Sequence, residues 1–426
     1  MSLNAASAAN ASPAARLDGV DLAALARRVG TPCNVYSASA LRARIEALIQ
    51  ALHGLDARVC YAVKANSSLA VLQMMADAGF GADIVSGGEL WRSLRAGIPA
   101  ECIVFSGVGK SEAEIGAALD AVIARFNVES EDELDALQRI AAARGVTARA
   151  SARINPDVDA HTHAKISTGL AENKFGVGID TARRWFADHA RRPNVRLDGL
   201  HVHIGSQMLS LGPIREALQR VADFRRELEA AGHPIASIDV GGGLGVCYRA
   251  GVDQPVAVTD YAAAIRNALE GFQGRILLEP GRWLVAEAGV LLTRVLRVKH
   301  GRQRDFLILD AAMNDLVRPA LYDAWHEIVP LVGADRPAAT YDVVGPVCES
   351  GDTFARGRAL PRCEAGDLVL IRNTGAYGMS MASTFNSRPL AAEVLVDAGR
   401  YAVIRRRQTL EELVAGELPA QHWEQA

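Results

Sequence analysis

From residue 58 to residue 281 the chain repeats one pattern: a short apolar, β-branched run ending in small or polar residues, then a helix-like stretch. The runs fall at 59–63, 82–86, 102–106, 122–128, 148–154, 198–204, 237–240 and 275–279. Helical stretches such as 67–79, 87–97, 130–144, 180–191, 213–231 and 259–271 lie between them. Ser67, Ser111, Ser130, Asp180 and Thr259 stand where N-caps belong, and Gly79, Gly97, Gly145 and Gly232 where helices end. Strands alternating with helices pair in parallel, because each helix carries the chain back to the start of the next strand. About eight such units over this length predict a (β/α)8 barrel of the TIM type. A doubly wound open sheet satisfies the same alternation.

After residue 285 the texture changes. Runs at 290–298, 306–310, 341–344, 367–371 and 393–396 are separated by turn residues, with helical patches at 320–326 and 408–415. This predicts an antiparallel β domain, which an early strand near 33–36 joins. The fold class is therefore α/β plus all-β: a disordered leader over 1–16, a barrel over 37–284, and a second antiparallel β domain built from 17–36 and 285–426. With 426 residues, half of them hydrophobic, two ordinary domains can bury their cores. A net charge of -3 without a basic block argues against a nucleic-acid partner. No uncharged apolar run approaches the ~20 residues of a membrane span. Cys33, Cys60, Cys102, Cys247, Cys348 and Cys363 show no C-x-x-C spacing. They read as reduced thiols of a cytoplasmic protein, not as a disulfide frame or a zinc site.

In a (β/α)8 barrel, functional residues gather at the C-terminal ends of the strands. Lys64 ends the first predicted strand and Asp83 lies in the second. His201 and His203 lie near the end of the sixth, Gly241 to Gly245 follow the seventh, and Glu279-Pro280-Gly281-Arg282 ends the eighth. All open onto one rim. Lys64 sits among Tyr61, Ala62, Val63 and Ala65, where burial favours the neutral amine and lowers its pKa, as a Schiff-base lysine requires. A lysine at a strand end can also reach solvent along its stem. The glycine loop turns N–H groups toward an anion, and a following helix start adds its dipole. The sixth position of a dinucleotide fingerprint is Val246, so a phosphate fits better than NAD. A tight strand-to-helix turn uses the same glycines. Glu279 can keep a pyridine nitrogen protonated and Arg282 can grip a phosphate or carboxylate, or the two can neutralise each other. His201 and His203 face one way, as a metal pair or with one imidazole stacked on a cofactor ring. No further His-x-His stands at a strand end, His161 and His163 falling in a polar loop, so no metal is expected. Ser206, just beyond, can hydrogen-bond a phosphate.

Together these segments resemble the fold-type III pyridoxal-phosphate decarboxylases, and most closely the branch that acts on diaminopimelate. The resemblance runs from about Thr31 to the end of the second domain. It rests on Y-A-V-K-A-N at 61–66, K-I-S-T-G-L-A-E-N-K-F-G-V at 165–177, G-L-H-V-H-I-G-S-Q at 199–207, G-G-G-L-G at 241–245 and E-P-G-R at 279–282. In the second domain it rests on G-P-V-C-E-S-G-D at 345–352 and A-Y-G-M-S-M-A-S-T-F-N at 376–386. The resemblance implies pyridoxal 5'-phosphate as cofactor, bound to Lys64 as a Schiff base with Asp83 among the cofactor residues. It further implies His203 on the ring, Glu279 on the pyridine nitrogen, and Ser206, Gly242, Gly243, Arg282 and Tyr377 around the phosphate. Cys348 would protonate the carbon that loses carbon dioxide, and Glu349 would hold the substrate's distal ammonium. The family builds each site at a homodimer interface, with the Cys348–Glu349 loop coming from the partner chain.

Substrate choice follows from charge. Diaminopimelate has a carboxylate beside its distal amine, and a forked cation meets a carboxylate best. Arg318, within Met313-Asn314-Asp315-Leu316-Val317-Arg318-Pro319-Ala320-Leu321-Tyr322, supplies one. Arg282, Tyr322 and Tyr377 would complete the grip. Ornithine-type relatives carry an acidic substrate-binding residue in this region. The expected reaction is decarboxylation of meso-2,6-diaminopimelate to L-lysine, the last step of lysine biosynthesis. A related decarboxylase for ornithine, arginine or carboxynorspermidine is the alternative. A metal hydrolase built on His201 and His203 is a third class.

Overall fold

A computed structural model describes residues 15–159, 174–332 and 335–420. Residues 1–14 of the expected leader, His161, His163 and residues 165–173 of the family motif lie outside these.

Eight parallel strands close into a barrel: Ala57–Ala62, Gly81–Ile84, Ile103–Phe105, Arg125–Val128, Ala148–Ile154, Val195–Val202, Ser237–Asp239 and Arg275–Leu278. Each falls on a predicted run. The seam pairs the eighth strand with the first, Ile276 with Ala57 and Leu278 with Val59. That ladder excludes the open sheet. The strands are mostly buried, because a parallel strand covered by helices has no face left to solvent. Cys60, Val104 and Leu277, from three different strands, pack in one buried cluster.

The helices start largely as capping chemistry dictates. Ser111 and Ser130 accept hydrogen bonds from the Glu114 and Glu133 N–H groups at the heads of helices Glu112–Asp120 and Glu131–Arg144. Glu114 reaches back to complete a capping box. Three predicted caps are displaced. Ser68, Gly178 and Ala257 precede their helices in place of Ser67, Asp180 and Thr259. Asp180 then lies in the first helical turn, where its charge meets the positive end of the dipole.

The chain divides into two compact units, one of Ser39–Ala288 with Gly375–Ser380, the other of Met1–Ala38, Gly289–Thr374 and Met381–Ala426. The sequence reading leaves everything after 285 in the β domain, yet Gly375–Ser380 belongs to the barrel unit. The Tyr377 N–H donates to the Ala65 carbonyl at 2.8 Å, and Asn66 Nδ2 donates to the Gly375 carbonyl at 3.1 Å. Such contacts satisfy irregular backbone groups and leave no periodic trace in the sequence.

The second unit carries a nine-stranded sheet. Its longest strand, Gly289–His300, pairs antiparallel with Cys33–Ser37 and Leu368–Arg372 along its first half, and with Asp305–Leu309 along its second. Alternate side chains serve two cores. Leu291, Val295, Val369 and Ile371 join one, while Val290, Leu292 and Leu370 join the other. Two pairs are parallel, a departure from the antiparallel expectation: Asp305–Leu309 with Ala338–Val344, and Cys33–Ser37 with Ala392–Asp397. Both are joined by long excursions of chain, which parallel pairing requires. Thr353–Pro361 and Arg400–Arg405 escape the sequence reading; both expose much of their length, and the first is broken up by Arg356, Gly357 and Arg358.

One close approach in the barrel can be tested. A Cβ on Gly81 would stand 1.9 Å from the Cys102 carbonyl oxygen, just before the neighbouring strand, whereas Gly109 faces open space. Gly81→Ala should lower unfolding free energy by roughly 1–3 kcal/mol, the cost of overpacking, in urea titration. Gly109→Ala serves as the unaffected control.

Candidate active site

The C-terminal ends of the barrel strands bring together the residues the sequence places on one rim. Lys64 lies in a single 3-10 turn, Val63–Ala65, directly after the first strand. Its Nζ is 2.6 Å from Oδ2 of Asp83, whose side chain is wholly buried in the second strand. The expected lowering of the Lys64 pKa is reversed. Burial does pull it down, but Asp83 and Glu279 push it further up, so the amine is held as an ammonium.

Deeper in the barrel, Glu279 is buried and satisfied on both oxygens. Ser106 Oγ and Asn127 Nδ2 donate to Oε1, each at 3.2 Å, and His201 Nε2 lies 3.1 Å from Oε2. Burial alone would favour the neutral acid; His201, Lys64 and His203 outweigh it and hold Glu279 well below the usual carboxylate range. Burial also pulls His201 down, but Glu279 and Asp239 raise it overall. Asp239, at the end of the seventh strand, is pushed up to about 8 by burial and by Glu279. One ligand atom each from His201, Asp239 and Glu279 lies within 4.8 Å of the others. Packed this closely and shielded from water, the three groups set one another's protonation.

His203 has a different partner. The Gly242 N–H donates to its Nδ1 at 3.1 Å, so the proton of the neutral ring sits on Nε2. Burial and the Arg153 charge push its pKa down to about 3. The Gly242 amide, expected to face an anion, here orients the imidazole. Gly243 is a better anion donor, since its N–H has no acceptor among the described residues. The loop packs so closely that a Cβ on Gly243 would meet the Gly205 carbonyl at 2.4 Å, beside Ser206. No helix start follows directly, because the next helix begins at Val258.

Arg282 does not pair with Glu279. Its Nε and Nη2 donate to Ser206 Oγ at 3.2 and 3.1 Å, and its Nη1 donates to Tyr248 Oη at 2.8 Å. The Tyr377 ring centre lies 4.9 Å from the guanidinium carbon. Ser206, Arg282 and Tyr377 thus assemble as expected, with a guanidinium, a hydroxyl and the Gly243 loop on one side of the site.

The remaining expected residues lie in the other unit. Arg318 and Tyr322 bracket the helix Arg318–Tyr322, four residues apart and so on one face, with Arg318 buried. Cys348 and Glu349 are exposed on a loop. Asp352, buried, accepts from the Val347 and Met313 N–H groups at 2.8 and 2.7 Å and anchors that loop. Gly345 must be glycine, since a Cβ there would lie 2.3 Å from Asp352 Oδ2.

Sequence reasoning misses Asp239, Asn127, Ser106 and Tyr248. Asp239 had a signal, an acid at the end of an apolar run on the same rim. Asn127 and Ser106 are polar residues in or just after strands. Tyr248 carries no comparable mark.

Residues 38–286 match the family described as pyridoxal-dependent decarboxylase, pyridoxal binding domain. The diaminopimelate decarboxylase of Zymomonas mobilis subsp. mobilis is 47% identical over 406 residues, covering 94% of this chain and 96% of that one. That of Pseudomonas aeruginosa is 49% identical over 400 residues, with the same coverage. Among solved structures, Helicobacter pylori diaminopimelate decarboxylase complexed with L-lysine matches with a TM-score of 0.89 at 45% identity, over 92% of this chain and 98% of that one.

The buried acid gives a pH dependence. The unfolded chain loses the Asp239 proton near pH 4, while the folded chain keeps it to about pH 8. The folded state binds the extra proton across that window, so this group makes stability fall as pH rises from 4 to 8. Asp239→Asn removes the dependence. In urea unfolding, the variant should gain on the wild type between pH 5 and pH 8; a constant or shrinking difference contradicts the protonated assignment.

Proposed function

The chain belongs to the pyridoxal-dependent decarboxylases, among the diaminopimelate decarboxylases, and we propose that it converts meso-2,6-diaminopimelate to L-lysine. The observation that carries this reading is the buried, ionised Glu279 on the same barrel rim as the Lys64–Asp83 pair. An amine, a carboxylate, a neutral imidazole, and a guanidinium–hydroxyl–glycine group suit the aldehyde, the ring nitrogen, the ring face and the phosphate of pyridoxal phosphate. When bound, that cofactor takes up the substrate amine and accepts the electron pair released as the carboxylate leaves.

The chain's own residues do the rest. Lys64 Nζ would hold the cofactor's aldehyde end, and for that it must first lose its proton, because the ammonium has no lone pair. Asp83 steadies the charged form. Glu279, kept ionised by His201, would keep the ring nitrogen protonated. His203, neutral and oriented by Gly242, would face the ring. Ser206, Gly243, Arg282 and Tyr377 would hold the phosphate. Cys348 is the acid that protonates the substrate carbon, and Glu349 takes the distal ammonium. Arg318 takes the distal carboxylate, with Tyr322 beside it on the same helix face. L-Lysine, the ligand of the Helicobacter pylori relative, is the product expected here. This places the enzyme at the last step of lysine biosynthesis.

The working form is a homodimer whose Cys348–Glu349 loop acts in the partner's site. The exposure of that loop supports this, as does its anchoring by Asp352. A cytoplasmic setting fits six free cysteines. A decarboxylase of ornithine or arginine has no distal carboxylate to bind and leaves the buried Arg318 unexplained.

Lys64→Ala should abolish the visible absorbance of the bound cofactor and nearly all carbon dioxide release from meso-diaminopimelate. Full activity in that variant removes Lys64 from the mechanism. Arg318→Ala should raise KM for diaminopimelate by roughly one to two orders of magnitude, the cost of losing a charge-assisted pair, while the cofactor spectrum persists. Cofactor loss instead would reassign Arg318.

A further inference from the structure

Arg318 is held by a group that nothing in the sequence motifs points to. Its Nη1 lies 2.9 Å from Nε2 of His326, and Nδ1 of His326 lies 2.8 Å from the Arg372 carbonyl oxygen. His326 is 1% exposed. The hydrogen-bond roles are unambiguous. A carbonyl oxygen only accepts and a guanidinium only donates. Nδ1 therefore carries the ring proton, and the lone pair of Nε2 receives an Arg318 N–H.

The sheet sets this geometry. Ile328–Pro330 pairs antiparallel with Leu368–Arg372, and the Arg372 N–H donates to the Glu327 carbonyl at 2.9 Å. His326 is the next residue along, so its ring meets the carbonyl at the end of the partner strand. On its other side, Arg358 Nη1 donates to the His326 carbonyl at 3.0 Å, and the Arg358 guanidinium stacks 3.5 Å from the Trp325 ring centre. Backbone and side chain of His326 are both pinned.

The chemistry of the holder matters more than its presence. A carboxylate in place of His326 would orient Arg318 but neutralise it. A neutral imidazole takes one N–H of the fork without cancelling its charge. We propose that His326 is a positioning residue that aims Arg318 while leaving it charged, and that it thereby sets selectivity for amino acids with a distal carboxylate. This rests on the reading of Arg318 as the group that takes that carboxylate.

The test uses the full-length holoenzyme and four variants: His326→Leu, His326→Gln, Arg318→Ala, and Arg318→Ala with His326→Leu. His326→Leu should raise KM for meso-diaminopimelate roughly tenfold or more, the loss of a hydrogen bond to a charged group, with kcat and cofactor absorbance near wild type. His326→Gln, whose carboxamide restores an acceptor, should recover most of the KM. In the Arg318→Ala background, His326→Leu should add nothing. An unchanged KM in His326→Leu overturns the proposal. So does failure of the glutamine to rescue, or an undiminished loss in the Arg318→Ala background. If Arg318→Ala alone leaves KM unchanged, the parent reading of Arg318 fails, and the proposal falls with it for a separate and visible reason.

Discussion

The ladder between Arg275–Leu278 and Ala57–Ala62 closes the barrel, and the site depends on that seam. Lys64 follows the first strand and Glu279 the eighth, more than two hundred residues apart in sequence. Closure makes them neighbours. The Pro280 carbonyl accepts from the Ala62 N–H at 3.1 Å, so the two strand ends are tied where the chemistry sits. An open sheet with the same strands would leave them at opposite edges.

Closure also concentrates charge. Asp83, His201, Asp239 and Glu279 are all buried at strand ends, where water cannot screen them. Their protonation states are therefore set by one another. Asp239 keeps a proton because Glu279 does not, and Glu279 stays ionised because His201 and Lys64 face it. A solitary buried carboxylate would take up a proton and lose its charge. The cluster makes a charged group tolerable in a barrel interior by surrounding it with compensating partners.

The β unit applies a similar rule with different means. Asp352 organises the Cys348 loop by accepting two backbone N–H groups, and His326 fixes Arg318 through a chain that ends on a strand carbonyl. In both cases the residue proposed to act is held by a neighbour rooted in backbone structure. Rigid support of this kind is what keeps a binding group within the narrow geometry that discrimination requires.

The sequence by itself determined the barrel, its eight strands and the rim residues, because period, turn chemistry and strand-end position are local properties. It also marked the second domain as β and singled out Arg318 by charge. Only the tertiary structure decided the rest. The Lys64 pKa reverses direction because Asp83, nineteen residues away in sequence, comes within 2.6 Å. Gly242 serves His203 because the loop after the seventh strand packs against the end of the sixth. Asp239, Tyr248 and His326 gain their roles from contacts between separate segments, and Gly375–Ser380 joins the barrel unit through contacts with residues far away in sequence. Local pattern encodes what each segment becomes; electrostatics and hydrogen-bond partners depend on distances that exist only once the chain has folded.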